Sequence, residues 1–377
     1  MKYIYTLFIS LLFFVISNAQ IVDIPDLNFL NALIGEGVDT NGDGDIQVSE
    51  AEATLNLNVS FSGILSVEGI QSFINLVDLN IRYNDVSEVD ISSLTNLEVL
   101  QACGNNLSEI DVSQNLALIT LSVCINDITS IDVTAHDDLV FLSIYANELS
   151  EIDVTNNPNL EWLYLTLNHI SNIDVTQNPN LTRLHAGQNL LTNLDVSLNP
   201  SLEELFVGYN EFTILDLSNQ PNLTDLGVQE NNLEYLNLNS GGNLHLENMM
   251  AYYNPNLFCI SVDDVGYANS IFCDQPNFWG WCKDSWAEYN EECELRVEDN
   301  IERIISIYPN PVKDFLRILN TSSTEITKIN IYDVLGRLVL TEKGNDSEMN
   351  LSNLDSGLLF VKINTDQGIV VKKIIKQ

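Results

Sequence analysis

Leu160-Glu161-Trp162-Leu163-Tyr164-Leu165-Thr166-Leu167-Asn168-His169-Ile170 is one of eight near-copies spaced 21 residues apart. The opening leucine recurs as Leu76, Leu97, Leu118, Leu139, Leu160, Leu181, Leu202 and Leu223. A second leucine follows three residues later, then an apolar residue two further on (Ile81, Ala102, Val123, Ile144, Leu165, Ala186, Val207, Val228). Three positions beyond that the residue is always asparagine: Asn84, Asn105, Asn126, Asn147, Asn168, Asn189, Asn210 and Asn231. Leu-x-Leu alternates with period two, so each copy holds a short strand with one buried face. One copy cannot bury that face alone; stacked neighbours share a core. The asparagine stands where the chain bends after the strand, with its amide hydrogens expected to reach backbone carbonyls of its own turn and the next. A buried group left unpaired there costs about 1–3 kcal/mol, which explains why the position admits no substitute.

The pattern resembles the leucine-rich repeat, L-x-x-L-x-L-x-x-N-x-L, in eight consecutive matches. Residues 55–257 are read as this domain: 55–75 is an imperfect first turn with Leu57, Val59, Ile64, Val67 and Ile70, and Met249–Ala251 supplies a strand beyond the eighth repeat. The return path also alternates, as in Ile110-Asp111-Val112 and Ile131-Asp132-Val133. That predicts a second extended segment rather than a helix, and a flat, gently curved solenoid. The aspartate column (Asp90, Asp111, Asp132, Asp153, Asp174, Asp195, Asp216) places like charges about 5 Å apart on neighbouring turns. Capping of a turn made with the Ser or Thr two residues on offsets the repulsion; calcium along the column is the alternative.

Residues 1–300 hold 5 Lys+Arg against 44 Asp+Glu, and 301–377 hold 10 against 9. The composition break near residue 300 separates two domains, and the acidic part argues against nucleic acid or an anionic membrane as partner. Met1–Ala19 has Lys2, an apolar run from Ile4 to Ile16 and a small-residue end, which makes 1–19 a secretory signal peptide cut before Gln20. No later stretch is long and apolar enough to span a bilayer. Six cysteines without C-x-x-C spacing argue against zinc, and export permits disulfides.

Residues 20–54 form an N-terminal cap. Pro25–Ile34 reads as a helix with Leu27, Phe29, Leu30 and Leu33 on its apolar side. Asp39 to Glu50 then satisfies every field of the EF-hand loop. Asp39, Asn41 and Asp43 offer side-chain oxygens to calcium, Asp45 its carbonyl and Glu50 both carboxylate oxygens, with Gly44 at the sharp turn. A solitary loop of this kind locks a cap rather than signals.

Residues 258–293 turn aromatic and cysteine-rich and form a C-terminal cap over the open core. The spacing Cys259-Ile260-Ser261-Val262-Asp263-Asp264…Tyr289…Cys293 resembles the cap of secreted bacterial leucine-rich-repeat proteins. That resemblance implies a Cys259–Cys293 bridge, with Cys273–Cys282 paired inside an insertion. Cys103 and Cys124 occupy one slot in successive repeats; strand spacing of about 4.8 Å lies within disulfide reach, which predicts a third bridge.

After a linker at 294–306, residues 307–377 alternate as strands: Phe315–Leu319, Ile326–Tyr332, Leu338–Leu340, Leu358–Ile363 and Ile369–Ile375. A small antiparallel sandwich fits them. Tyr308-Pro309-Asn310-Pro311, Tyr332-Asp333-Val334-Leu335-Gly336-Arg337, Ser356-Gly357-Leu358-Leu359-Phe360-Val361-Lys362 and Lys372-Lys373-Ile374-Ile375-Lys376 resemble the C-terminal sorting domain of the type IX secretion system of Bacteroidota. The resemblance implies contact with that machinery, a second export step across the outer membrane and removal of the domain. The whole is a mainly β chain: a 21-residue-repeat solenoid with an EF-hand-like helical cap, a disulfide C-cap and a β-sandwich.

No H-E-x-x-H, G-x-S-x-G or phosphate loop is present, and the four histidines are scattered, so the chain is not read as an enzyme. The exposed strand positions line the concave face, and large side chains cluster there: Phe141, Tyr145, Trp162, Tyr164, Arg183, His185 and Phe206. A contiguous patch of this kind marks an interaction surface. The expected function is a secreted or cell-surface module binding protein or glycan, centred on Trp162, whose rings offer flat faces and which packing does not require. The alternative is a structural or adhesive surface protein without a discrete ligand.

Overall fold

The computed structural model describes residues 20–274, 277–293, 305–320, 325–334, 337–344, 348–366 and 368–377. The signal peptide read at 1–19 and nearly all of the linker read at 294–306 lie outside them. The chain divides into two compact units, Met1–Cys293 and Glu294–Gln377.

The first unit opens with helix α1, Leu27–Gly35. Asp26 caps it, accepting from the N–H groups of Asn28 and Phe29 at 2.8 and 3.1 Å. The other oxygen of the same carboxylate accepts from Leu65 and Ser66 N–H at 2.7 and 3.0 Å, tying the helix to the first turn. Phe29 and Leu33 are buried one helical turn apart. Leu27, expected beside them, is 70% exposed, because it lies about 200° round the helix from Phe29. The acidic loop leads to α2, Val48–Ala53.

Short strands then follow: β1 Asn56–Asn58, β2 Asp78–Asn80, β3 Val99–Gln101, β4 Thr120–Ser122, β5 Phe141–Ser143, β6 Trp162–Tyr164, β7 Arg183–His185 and β8 Glu204–Phe206. From there the chain alternates between two sheets through β9 Ile214–Asp216, β10 Asp225–Gly227, β11 Tyr235–Asn237, β12 Asn248–Ala251, β13 Cys259–Ser261, β14 Trp281–Lys283 and β15 Glu288–Asn290. The long parallel sheet runs β1 to β8, then β10, β12, β14; the second runs β15-β13-β11-β9. From β2 to β10 of the long sheet each central leucine pairs with the leucine 21 residues on, as Leu142 with Leu163 and Leu163 with Leu184. These central leucines are fully buried.

After the strand the chain turns through a residue of positive φ, such as Tyr83 at 53° or Leu167 at 59°, and reaches the asparagine. Asn168 Nδ2 donates to Leu165 O of its own turn and Ile144 O of the preceding turn, both at 3.0 Å; its Oδ1 accepts from Leu149 N–H at 3.0 Å. The ladder therefore reaches back to the preceding turn, not forward to the next. The carbonyl just after the strand receives two donors: Leu165 O takes Asn168 and Asn189, both at 3.0 Å. Both lone pairs of the carbonyl are filled.

The return path is extended, and among the described residues it forms a ladder only at β9, β11, β13 and β15. Before that, the aspartates cap it locally. Asp132 Oδ1 accepts from Thr134 N–H at 2.9 Å and Oγ1 at 2.7 Å, and Asp153 and Asp174 repeat this with Thr155 and Thr176. The side-chain and backbone bonds from the threonine hold these carboxyls below the ordinary value of 3.8.

A second polar column escapes the leucine pattern. Asn115, His136, Asn157, Asn178, Asn199 and Gln220 are buried at 21-residue intervals. Asn178 Nδ2 donates to Val154 O at 2.9 Å and Asn157 O at 2.8 Å. Its Oδ1 has no protein partner, and the same holds down the column.

Over the last turns Trp281 is buried and donates from Nε1 to Leu246 O at 2.9 Å. Cys259–Cys293 and Cys273–Cys282 bridge this cap, with Cα separations of 5.8 and 4.7 Å. Cys103–Cys124 joins adjacent repeats at 4.4 Å.

The second unit has two antiparallel sheets around one core. One contains β16 Ile305–Tyr308, β17 Phe315–Asn320 and β20 Glu348–Asn350; the other orders β19 Leu338–Lys343, β18 Ile326–Asp333, β21 Gly357–Thr365 and β22 Gly368–Lys376. Two details correct the sequence reading. Ile305 is fully buried in β16, so the domain begins inside the segment taken as linker. Glu348–Asn350 is a strand that went unread because only Met349 of its three residues is buried.

Candidate ligand-binding face and acidic loop

The strand residues that flank each buried leucine lie on the face of the sheet turned away from the leucine core, and parallel pairing lines them up in two rows. Phe141, Trp162, Arg183 and Glu204 form one; Ser143, Tyr164, His185 and Phe206 form the other. Phe141 meets the edge of Trp162 at 5.7 Å and Tyr164 at 5.6 Å between centroids; His185 stands edge-on between Tyr164 (4.6 Å) and Phe206 (4.7 Å). The Arg183 guanidinium lies 4.7 Å over the Trp162 ring. Trp162 is only 37% exposed. One face of its ring is thus occupied, contrary to the expectation of open flat rings.

Glu204 organises the charged part. It holds Arg183 Nε at 3.1 Å and His185 Nε2 at 3.0 Å. Burial pushes the His185 imidazole below its ordinary value, while Glu204 pulls the other way. Glu204 is not among the residues expected from the sequence to form the site; its register position beside Arg183 is the signal for it.

A trough of about 450 Å³ opens on the same side. Phe141, Tyr145, Tyr164 and His185 line it; Trp162, Arg183 and Phe206 do not, so the hollow is displaced from Trp162 towards the earlier repeats. The Cys103–Cys124 bridge contributes to its lining together with Ser122 and Ser143, and Arg82 and Tyr83 close its far end. Tyr83 bends over Gly104, where a Cβ would stand 2.6 Å from the ring. That glycine, visible in the sequence only as a break in a column of larger residues, lets the tyrosine lie flat.

The acidic loop is wound around its own side chains. Asp39 accepts from Gly42 and Gly44 N–H at 2.6 and 2.9 Å, Asn41 from Asp43 N–H at 2.8 Å, and Asp43 from Asp45 N–H at 3.0 Å. Gly42 and Gly44 have φ of 75° and 88°, a region that suits glycine. Glu50 accepts from Thr40 N–H (2.8 Å), Thr40 Oγ1 (2.6 Å) and Gln47 N–H (3.0 Å), the last as part of the capping box that starts α2. Gln47 Nε2 donates to both oxygens of Asp43. Among the described residues no three acidic, histidine or cysteine side chains converge as metal ligands. The donors are all hard oxygens, which fits calcium in kind; holding the ion requires Gln47 to leave Asp43 and Glu50 to turn inward.

Residues 306–377 match the family model for the secretion system C-terminal sorting domain. Among solved structures, the functional domain of InlJ from Listeria monocytogenes, described as including a cysteine ladder, aligns with a TM-score of 0.51 and 18% identity, covering 95% of this chain and 98% of that one. Internalin C2 of Listeria monocytogenes strain 4b F2365 aligns over 53% of this chain and 91% of its own at 21% identity, TM-score 0.49. A 92-residue segment is 32% identical to the ulvan lyase NLR42 of Nonlabens ulvanivorans. This chain covers 17% of that enzyme's length, too little to carry its activity. The solenoid has the leucine-rich-repeat fold. The type IX sorting domain at the C-terminus marks the chain as secreted or attached to the outer surface. No described helix is long and apolar enough to cross a membrane.

Proposed function

We propose that the solenoid is a binding module that recognises a protein or glycan on the solvent-facing side of its long sheet, and that it does not catalyse a reaction. The row of rings across β5–β8, set beside a trough, carries this reading. The core is already filled by the leucines, so packing against it does not account for large side chains on this side. The Arg183, Glu204 and His185 side chains of the row are tied to one another, which suits a shaped contact surface better than proton transfer. Screening the mature protein on glycan and surface-protein arrays tests it: a ligand whose binding is lost in Tyr145→Ala supports the reading, and a ligand indifferent to every substitution on this side overturns it.

The loop Asp39–Glu50 binds one calcium ion in the weak extracellular range of about 10⁻⁴–10⁻³ M, using Asp39, Asn41, Asp43, the Asp45 carbonyl and Glu50. The hard-oxygen donor set and the glycine-shaped turn support it. Calorimetric calcium titrations of wild type and Glu50→Ala that superimpose would end the idea.

A further inference from the structure

We propose that the trough over the Cys103–Cys124 bridge takes a sugar that carries one carboxylate, with Arg82 as the partner of that carboxylate. The inference rests on the binding reading above and names its ligand class. Three observations carry it.

The first is charge. Residues 1–300 carry 44 acidic side chains, yet none lines the trough, whereas Arg82 and His185 do. Between residues 20 and 293 the only Lys or Arg side chains are Arg82, Arg183 and Lys283, so one of three is spent here. The nearest acids stand outside the lining: Glu204 is tied to His185, and Asp78 lies near Arg82. Arg82 holds Asn80 Oδ1 through Nε at 3.3 Å, so its terminal nitrogens project past that contact and offer the paired donors a carboxylate takes.

The second is surface chemistry. Hydroxyls from Ser122, Ser143 and Thr166 and phenols from Tyr83, Tyr145 and Tyr164 share the lining with apolar ring surface. Sugars present that alternation of C–H faces and hydroxyl edges.

The third is shape. The volume falls in the range of small-ligand sites, about 300–1,000 Å³. The strands beneath are paired on both sides within the sheet, so an extended peptide finds no backbone edge to pair with, and that mode of protein recognition is closed here. The acidic field of the unit repels a dense polyanion, which limits the ligand to a single carboxylate on an otherwise neutral chain.

The test uses the mature full chain and two probes, a trisaccharide ending in one uronate and its methyl ester, titrated by calorimetry. The acid is expected to bind at least tenfold tighter than the ester. Arg82→Gln abolishes that difference, Arg82→Lys restores part of it, and Tyr145→Ala weakens both probes alike. Thermal melts of each variant separate a lost contact from a lost fold. Equal binding of acid and ester to the wild type overturns the proposal. If neither sugar binds while an array protein ligand is lost in Tyr145→Ala, the sugar assignment falls and the binding face stands. If no ligand responds to substitutions on this side, both fall.

Discussion

Asn168→Leu and Asn178→Leu make the same chemical change in two columns of the same repeat, and the hydrogen bonds predict very different costs. Asn168 supplies two donors and one acceptor, all at 3.0 Å. Its loss leaves the buried Leu149 N–H unpaired, a penalty of about 1–3 kcal/mol, and removes one of two donors from each of two carbonyls, about 0.5–1.5 kcal/mol apiece. The total is about 2–6 kcal/mol. Asn178 also loses two bonds, to Val154 O and Asn157 O. Both carbonyls keep a backbone donor, from Asn157 N–H and Leu160 N–H, each at 3.1 Å. The substitution also removes a buried oxygen that has no protein partner, a relief of similar size to the loss. Asn178→Leu should therefore fall within about 1 kcal/mol of wild type. Urea unfolding of the mature chain with disulfides intact reads both, provided the slope of each transition is unchanged. Equal destabilisation by the two substitutions would falsify the assignment of the first column as the stabilising ladder and the second as energetically balanced.

Acid should weaken the solenoid from the aspartate column: folded-state carboxyls held below 3.8 contribute stability that is full above that pH and is lost as pH falls through the lowered values. Asp153→Asn keeps the cap to Thr155 and should flatten this acid limb slightly, whereas Asp153→Ala should lower stability at neutral pH as well; melts from pH 2 to 7 compare them. Trp162→Ala removes an edge-to-face pair and a cation–π contact, about 1–2 kcal/mol together, a measurable loss in calorimetry; a collapse of the fold would place Trp162 in the core. Deleting residues 305–377 should strand a folded solenoid in the periplasm, and normal surface delivery of that truncation, followed by fractionation, would contradict the role of the sorting domain.

The repeat solenoid was legible because its period is written in the covalent chain. Burial of one strand face demands a leucine every 21 residues, and a bend that must satisfy backbone carbonyls demands an asparagine after it. Register then follows, and with it the pairing of Trp162 with Phe141 and Arg183. The strands Phe315–Asn320 and Ile326–Asp333 were visible for the same reason, whereas Glu348–Asn350 buries too little to alternate.

What the linear pattern left undecided is which side chains touch which atoms. The column Asn115, His136, Asn157, Asn178, Asn199, Gln220 keeps the 21-residue period but mixes residue types, so no residue rule selects it, and only burial shows that it is one structure. The direction of the asparagine ladder depends on which carbonyls the stacked turns bring within 3 Å. Likewise the trough sits over Cys103–Cys124 rather than under Trp162 because small side chains there leave space that the rings of β5 to β8 fill by packing on one another. The repeat period sets which residues share a face of the sheet; which of them close ranks and which enclose a hollow depends on side-chain volume and contact in three dimensions.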